Sequence, residues 1–106
     1  MKMKQVKSKE FQMEVLESKV PVLVDFSATW CGPCQMMGPV LEQMSAEYEG
    51  KAKIVKVDID ESMDLAQKYQ IMSVPNMIFF KDGAPADAVV GAVPAAYLKE
   101  KLEKLL

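Results

Sequence analysis

The 106-residue sequence predicts an α/β domain: parallel strands, an antiparallel extension, and helices on both faces of one sheet. Three observations lead there. Short β-branched apolar runs alternate with segments of helical periodicity. The last two such runs are separated by the turn signal Lys81-Asp82-Gly83. Residues 20–28, VPVLVDFSA, are apolar almost throughout, as in a strand covered on both faces.

Taken in order, Met3 to Val6 forms a weak first strand, and Ser8 is positioned to cap a helix with Phe11 and Val15 on one face. The run 20–28 is the central strand. From Cys34 to Glu49 the residues Met37, Val40, Leu41, Met44 and Tyr48 recur at helical spacing, with Gly50 as the stop. KIVKVDID (53–60) is a strand, and Asp60 is expected to cap a short helix through Leu65, Ala66 and Tyr69. NMIFF (76–80) and DAVVGA (87–92) form the antiparallel pair. Pro94 opens a last helix with Leu98, Leu102, Leu105 and Leu106 on one stripe. No internal repeat, linker or low-complexity segment interrupts this order, so residues 1–106 are expected to form a single domain.

Composition narrows the function. Half the residues are apolar and 26% charged, ordinary globular usage. A net charge of −2 offers no basic face of the kind nucleic acid requires; the cluster Lys2, Lys4, Lys7 and Lys9 reads as a solvated edge. No run approaches the ~18 apolar residues of a membrane span, and no apolar segment of signal-peptide type follows the basic N-terminus. The expectation is a cytoplasmic protein with neither nucleic-acid nor membrane partners. In the reducing cytosol a structural disulfide is a poor reason for keeping two cysteines.

Those two cysteines, Cys31 and Cys34, stand in DFSATWCGPCQMMGPV (25–40), and the chain has no histidine. A structural zinc site takes four Cys or His ligands and an iron–sulfur cluster four thiolates, so one protomer fills neither with these residues. Metal shared between two chains, or two small buried core residues, remain as plain alternatives. A redox pair fits the spacing better. Cys31 follows a strand and begins a helix, where free N–H groups and the positive macrodipole end favour a thiolate. Cys34 lies one turn on, within bonding reach. The closed loop is tiny, which suits a bond made to be exchanged. Order along the chain gives the roles: Cys31 an exposed nucleophile, Cys34 the thiol that resolves the mixed disulfide. Asp25 interrupts an apolar strand, either as a buried carboxyl with a raised pKa or as a strand-end residue reaching solvent. Gly91, inside an expected strand, signals close backbone approach or a bulge.

WCGPC (30–34) preceded by VDFSAT (24–29) resembles the thioredoxin family. The likeness extends along the chain through Asp25, Pro39, KVDID (56–60), Pro75, Lys81-Asp82-Gly83 and Val90-Gly91-Ala92. It implies a thioredoxin fold: three α/β/α layers and a mixed five-stranded sheet of three parallel strands plus an antiparallel C-terminal pair, with four helices. The implied activity is protein-disulfide reduction through a redox-active Cys31–Cys34 disulfide, without further cofactor or metal. The implied partners are a thioredoxin reductase and disulfide-bearing target proteins, met by a monomer. By resemblance Asp25 moves the proton of Cys34, with Lys56 as its charge partner. Val74–Pro75 is cis, Pro39 kinks the long helix, and Trp30, Gly32 and Pro33 belong to the redox motif. The substrate surface comprises Trp30, Ile59, Val74, Pro75, Val90, Gly91 and Ala92, with Met72 as an adaptable contact beside it.

This chain departs from the family at several positions. Ser27 stands where an aromatic is frequent and Gln35 where lysine is; Gln70 and Ser73 replace common glycines, and Asn76 a usual threonine. These bear on partner choice and redox potential. No G-x-G-x-x-G fingerprint is present, so electrons are expected from another protein. Two rival readings are an oxidase or isomerase on the same scaffold, and a binding subunit that uses the surface but not the thiols. Gly32-Pro33 between the cysteines favours the reductase.

Overall fold

The structure, a computed structural model, describes residues 3–106. The elements are β1 (Lys4–Gln5), α1 (Ser8–Phe11, running on into a π-helical turn Gln12–Leu16), β2 (Val22–Ser27), α2 (Gly32–Glu47), β3 (Lys53–Asp58), α3 (Met63–Lys68), β4 (Asn76–Lys81), β5 (Ala84–Val90) and α4 (Ala95–Glu103). They build one five-stranded sheet in the order β1-β3-β2-β4-β5. The β1, β3 and β2 strands run parallel; β4 and β5 are antiparallel, as expected from the sequence.

Alternation along the central strands divides the core in two. Leu23, Met77 and Phe79 point to one face and pack with Met37, Leu41 and Met44 of α2 and Leu98 and Leu102 of α4. Val22, Val24, Phe26, Ile78 and Phe80 point to the other, where Phe11, Val15 and Leu65 cover them. Successive strand residues face opposite ways, so an unbroken apolar run serves both layers. On the second face Tyr69 stands between Phe26 and Phe80, with ring centroids 6.0 and 5.3 Å away. Each fully buried aromatic contributes about 2–3 kcal/mol. That packing fixes the chain just before the segment 71–75.

Several boundaries differ from expectation. Lys7, not Ser8, occupies the N-cap of α1, and its N–H donates to the Glu10 carboxylate at 3.0 Å. The Ser8 hydroxyl instead bonds Asp64, tying α1 to α3. Lys4, Lys7 and Lys9 are exposed, whereas Lys2 lies outside the described residues. The long helix begins at Gly32 and so includes Cys34 in its first turn. Ser62, not Asp60, holds the N-cap position of α3. β5 starts three residues early, at Ala84; Phe79 pairs with Asp87 and Phe80 with Pro85, so Ala86 is a bulge that lets proline enter this edge strand. Leu98 and Leu102 are buried as expected, but Leu106 is exposed at the chain end.

Two backbone positions explain sequence features. Asp82 and Gly83 have φ of 53° and 81°, giving the two-residue hairpin turn a twist matching its strands. A Cβ on Gly83 would lie 2.9 Å from the Leu16 carbonyl oxygen. Gln70, at the C-terminal end of α3, has φ of 55° while Ile71 N–H donates back to the Ala66 carbonyl at 2.9 Å. This is a helix terminus that favours glycine, occupied by a residue with a Cβ. Gln70→Gly is expected to raise unfolding free energy by about 0.5–1 kcal/mol, read by urea denaturation.

Candidate active site

β2 delivers the site. It ends at Ser27, the chain turns through Ala28–Trp30, and α2 begins with Cys31 at the N-cap and Gly32 and Pro33 in its first turn. Proline fits there, because its missing N–H belongs to a group without an intrahelical acceptor anyway. Cys31 and Cys34 are disulfide-bonded, with Cα atoms 5.2 Å apart, inside the range a disulfide spans without moving the backbone.

The N–H of Cys34 donates to Cys31 Sγ at 3.1 Å. No acidic residue sits in the first turn to offset the macrodipole. A free backbone donor and the positive helix end therefore act on one sulfur, which is what stabilises a thiolate. The Val74 carbonyl oxygen lies 3.7 Å from the same sulfur.

One expectation is corrected here. Cys31 is not an exposed tip: it is 5% exposed, and Cys34 6%. Ala28, Ile59 and Val74 close around the disulfide, so Cys31 forms part of a groove and does not project from the surface. That groove, about 460 Å³, is also lined by Trp30, Gly32, Pro33 and Met72. Trp30 is 68% exposed and Met72 92%, giving an apolar rim around the sulfur. A neighbouring groove over α3 shares Ile59, Ile71 and Met72 with it. Pro75 is cis and buried, and its carbonyl accepts the Gly91 N–H at 2.8 Å. Val90 is 59% exposed and Ala92 is exposed, so these residues continue the surface on the far side of Pro75.

Gly91 lies just past β5 and not within it. Its φ is 91° and a Cβ there would meet nothing of this chain, so backbone conformation by itself selects glycine, and the residue is not a strand bulge. Pro39 lies inside α2 and leaves the Gln35 carbonyl without its intrahelical donor. The Gln35 side chain turns back to the Thr29 carbonyl at 2.9 Å, bracing the turn before Cys31.

Asp25 is 1% exposed, on the α2 side of the sheet, and its Oδ1 has no hydrogen-bond partner among the described residues. Burial pushes its pKa up to about 7, against a smaller downward pull from the Lys56 charge. Lys56 pairs with Asp25 in the β2–β3 register. It acts through space, not as the hydrogen-bonded partner a salt bridge would provide. Asp25 and Cys34 line a common cleft of about 340 Å³ between α2 and the strand ends.

Asp60 does not cap α3 as expected. Its carboxylate accepts the Trp30 indole N–H at 2.8 Å and so orients the exposed ring beside the disulfide. Thirty positions separate the two, and no local pattern signals the pair. Ser27 is buried beneath the turn, Asn76 keeps a buried Oδ1 without a partner, and Ser73 is exposed in the groove.

Among the described residues no group of three or more His, Cys, Asp or Glu side chains could hold a metal, and no helix is long and apolar enough to cross a membrane. A two-cysteine disulfide at a helix N-terminus, beside the residue that precedes a cis-proline and sharing a cleft with a buried carboxyl, defines a thiol–disulfide oxidoreductase. Residues 2–104 match the family model "Thioredoxin". The chain is 52% identical over 102 residues to Thioredoxin 1 of Nostoc sp., covering 96% of this chain and 95% of that protein. It is 50% identical over 102 residues to a thioredoxin of Synechocystis sp., at the same coverage. A thioredoxin of Staphylococcus aureus is 58% identical over 84 residues, 79% of this chain and 81% of that one. The chain belongs to the thioredoxin family, and its activity is protein-disulfide oxidoreduction.

Proposed function

We propose that the whole chain acts as one cytoplasmic dithiol reductase domain, drawing electrons from a separate thioredoxin reductase and delivering them to disulfide-bearing proteins. It works as a monomer with no cofactor beyond its own disulfide. Cys31 attacks a target disulfide and becomes linked to one target sulfur. Cys34, giving its proton to Asp25, attacks Cys31 Sγ; the Cys31–target bond breaks and the target leaves as a dithiol. Two electrons pass from the cysteine pair to the target. Lys56 tempers the cost of a charged Asp25, and Pro39 and Gly32-Pro33 shape the helix that holds the sulfurs. Trp30, Ile59, Val74 and Pro75 receive the target chain on one side, and Val90, Gly91 and Ala92 on the other.

The single observation behind these roles is the 3.1 Å donation from Cys34 N–H to Cys31 Sγ at the start of α2, which marks Cys31 as the sulfur stabilised as an anion. Partner recognition is assigned to apolar contact, because the rim carries Trp30 and Met72. Insulin-disulfide reduction, with the protein recharged by dithiothreitol, tests the reading. The expected result is a rate well above dithiothreitol alone; no excess rate would overturn it.

A further inference from the structure

Nine of the 106 residues are methionine, and the fold sorts them. Met37, Met44 and Met77 are buried in the core, whereas Met13, Met36, Met63 and Met72 are exposed. Two of the exposed methionines stand near the disulfide. Met72 lines both the groove that holds Cys31 and the groove over α3, and Met63 lines the second. Met13 and Met36 line neither. A target linked to Cys31 lies in the first groove, and any continuation of its chain toward α3 crosses Met72. Leucine would give this rim much the same apolar area; a thioether adds a sulfur that oxidants attack. In the disulfide state Cys31 Sγ is bonded and the residue is 5% exposed, while Met72 is 92% exposed. The rim thioethers are then the sulfurs beside the site that an oxidant in solution reaches.

We propose that Met72, with Met63 beside it, is an oxidation site, whose conversion to the sulfoxide by a peroxide weakens target docking and spares the cysteine chemistry. The inference rests on the target-docking role given to the rim above. The thioether sulfur attacks one oxygen of hydrogen peroxide, the O–O bond breaks, an S–O bond forms, and the second oxygen leaves as water. Sulfur gives up two electrons and the peroxide takes them. A polar side chain now stands where an apolar one met the target. Covering its S–O dipole with an apolar segment costs free energy that covering the thioether does not. The Cys31–Cys34 pair takes no part in the step, and reducing that disulfide does not undo it. Methionine sulfoxide reductases restore the thioether.

For the test, the protein is treated with hydrogen peroxide while its disulfide is intact, freed of peroxide, and reduced with dithiothreitol that is then removed. Peptide mass locates the added oxygens. The reduced protein is timed against two disulfides: insulin, which has to dock, and hydroxyethyl disulfide, too small to cover the rim. Treatment is expected to oxidise Met63 and Met72 and to slow the insulin reaction roughly fivefold, with hydroxyethyl disulfide reacting at its former rate. Met63→Leu/Met72→Leu should show no slowing on treatment, and Met13→Leu/Met36→Leu the full slowing of the wild type. The proposal is overturned by an unoxidised Met72, or by an insulin rate that survives its oxidation. Equal slowing with both disulfides, or a rim variant as sensitive as the wild type, overturns it too. Untreated protein that reacts with hydroxyethyl disulfide but not with insulin would remove the docking role itself, and the oxidation site with it.

Discussion

Cys31→Ser is expected to abolish insulin-disulfide reduction, and Cys34→Ser to stop the reaction at a mixed disulfide that survives non-reducing electrophoresis. The two losses have different causes. Without Cys31 no thiol lines the groove where the target must lie, because Cys34 opens on the cleft. Without Cys34 the first exchange proceeds, but no thiol is left one turn away to break the new bond. The double serine variant should keep the fold. Its disulfide closes a loop of separation 3, so on chain entropy its loss costs only about 2 kcal/mol against the oxidised protein. A folded double variant that still reduces insulin would move this chain to the thiol-independent binding class.

Asp25→Asn is expected to stabilise the protein in a pH-dependent way. The folded carboxyl titrates near 7, held up by burial, whereas an unfolded aspartate titrates near 3.9. Between those values the folded state keeps a proton that the unfolded state has released. Stability therefore falls as pH rises through this window, and the deficit is complete above the folded pKa. Three units correspond to a deficit on the order of 4 kcal/mol. Urea unfolding should show the two proteins diverging from about pH 4 upward, the variant gaining on the wild type until about pH 7 and holding its lead beyond. Asparagine can add a constant offset of its own, so the readout is how the difference varies with pH. A difference independent of pH would show that Asp25 does not titrate as a buried acid. The same variant should slow target release by roughly 100-fold while leaving the attack of Cys31 intact.

The sheet was legible because its signals are local. Alternating apolar runs, the Lys81-Asp82-Gly83 turn and a proline-led last helix each act within a few residues, and each element appears in the expected order with only its boundaries moved. The redox pair was legible for the same reason, since Cys31 and Cys34 share one helical turn. Contacts across the chain were not. Asp60 reads as a cap in its own neighbourhood, yet its carboxylate is taken by Trp30, and Ser62 is left at the helix start. The cis bond before Pro75 came only from the family likeness, because nothing adjacent to Val74 favours it. Burial of Cys31 was hidden too: Ile59 and Val74 close over it from distant segments. Gly91 was hidden in another way: it lies just beyond the strand assigned to it, and its positive φ is set by a backbone turn that no neighbouring residue signals.

One measurement bears most directly on the central claim, that the start of α2 holds a thiolate at Cys31. Fully reduced protein is alkylated with iodoacetamide across a pH series, and the labelled peptide carrying Cys31 is quantified. The rate should follow a single titration with a pKa between about 3.5 and 7.5, well below the ~8.5 of an ordinary cysteine. A Cys31 that titrates near 8.5, or that resists the reagent at every pH, would contradict the account.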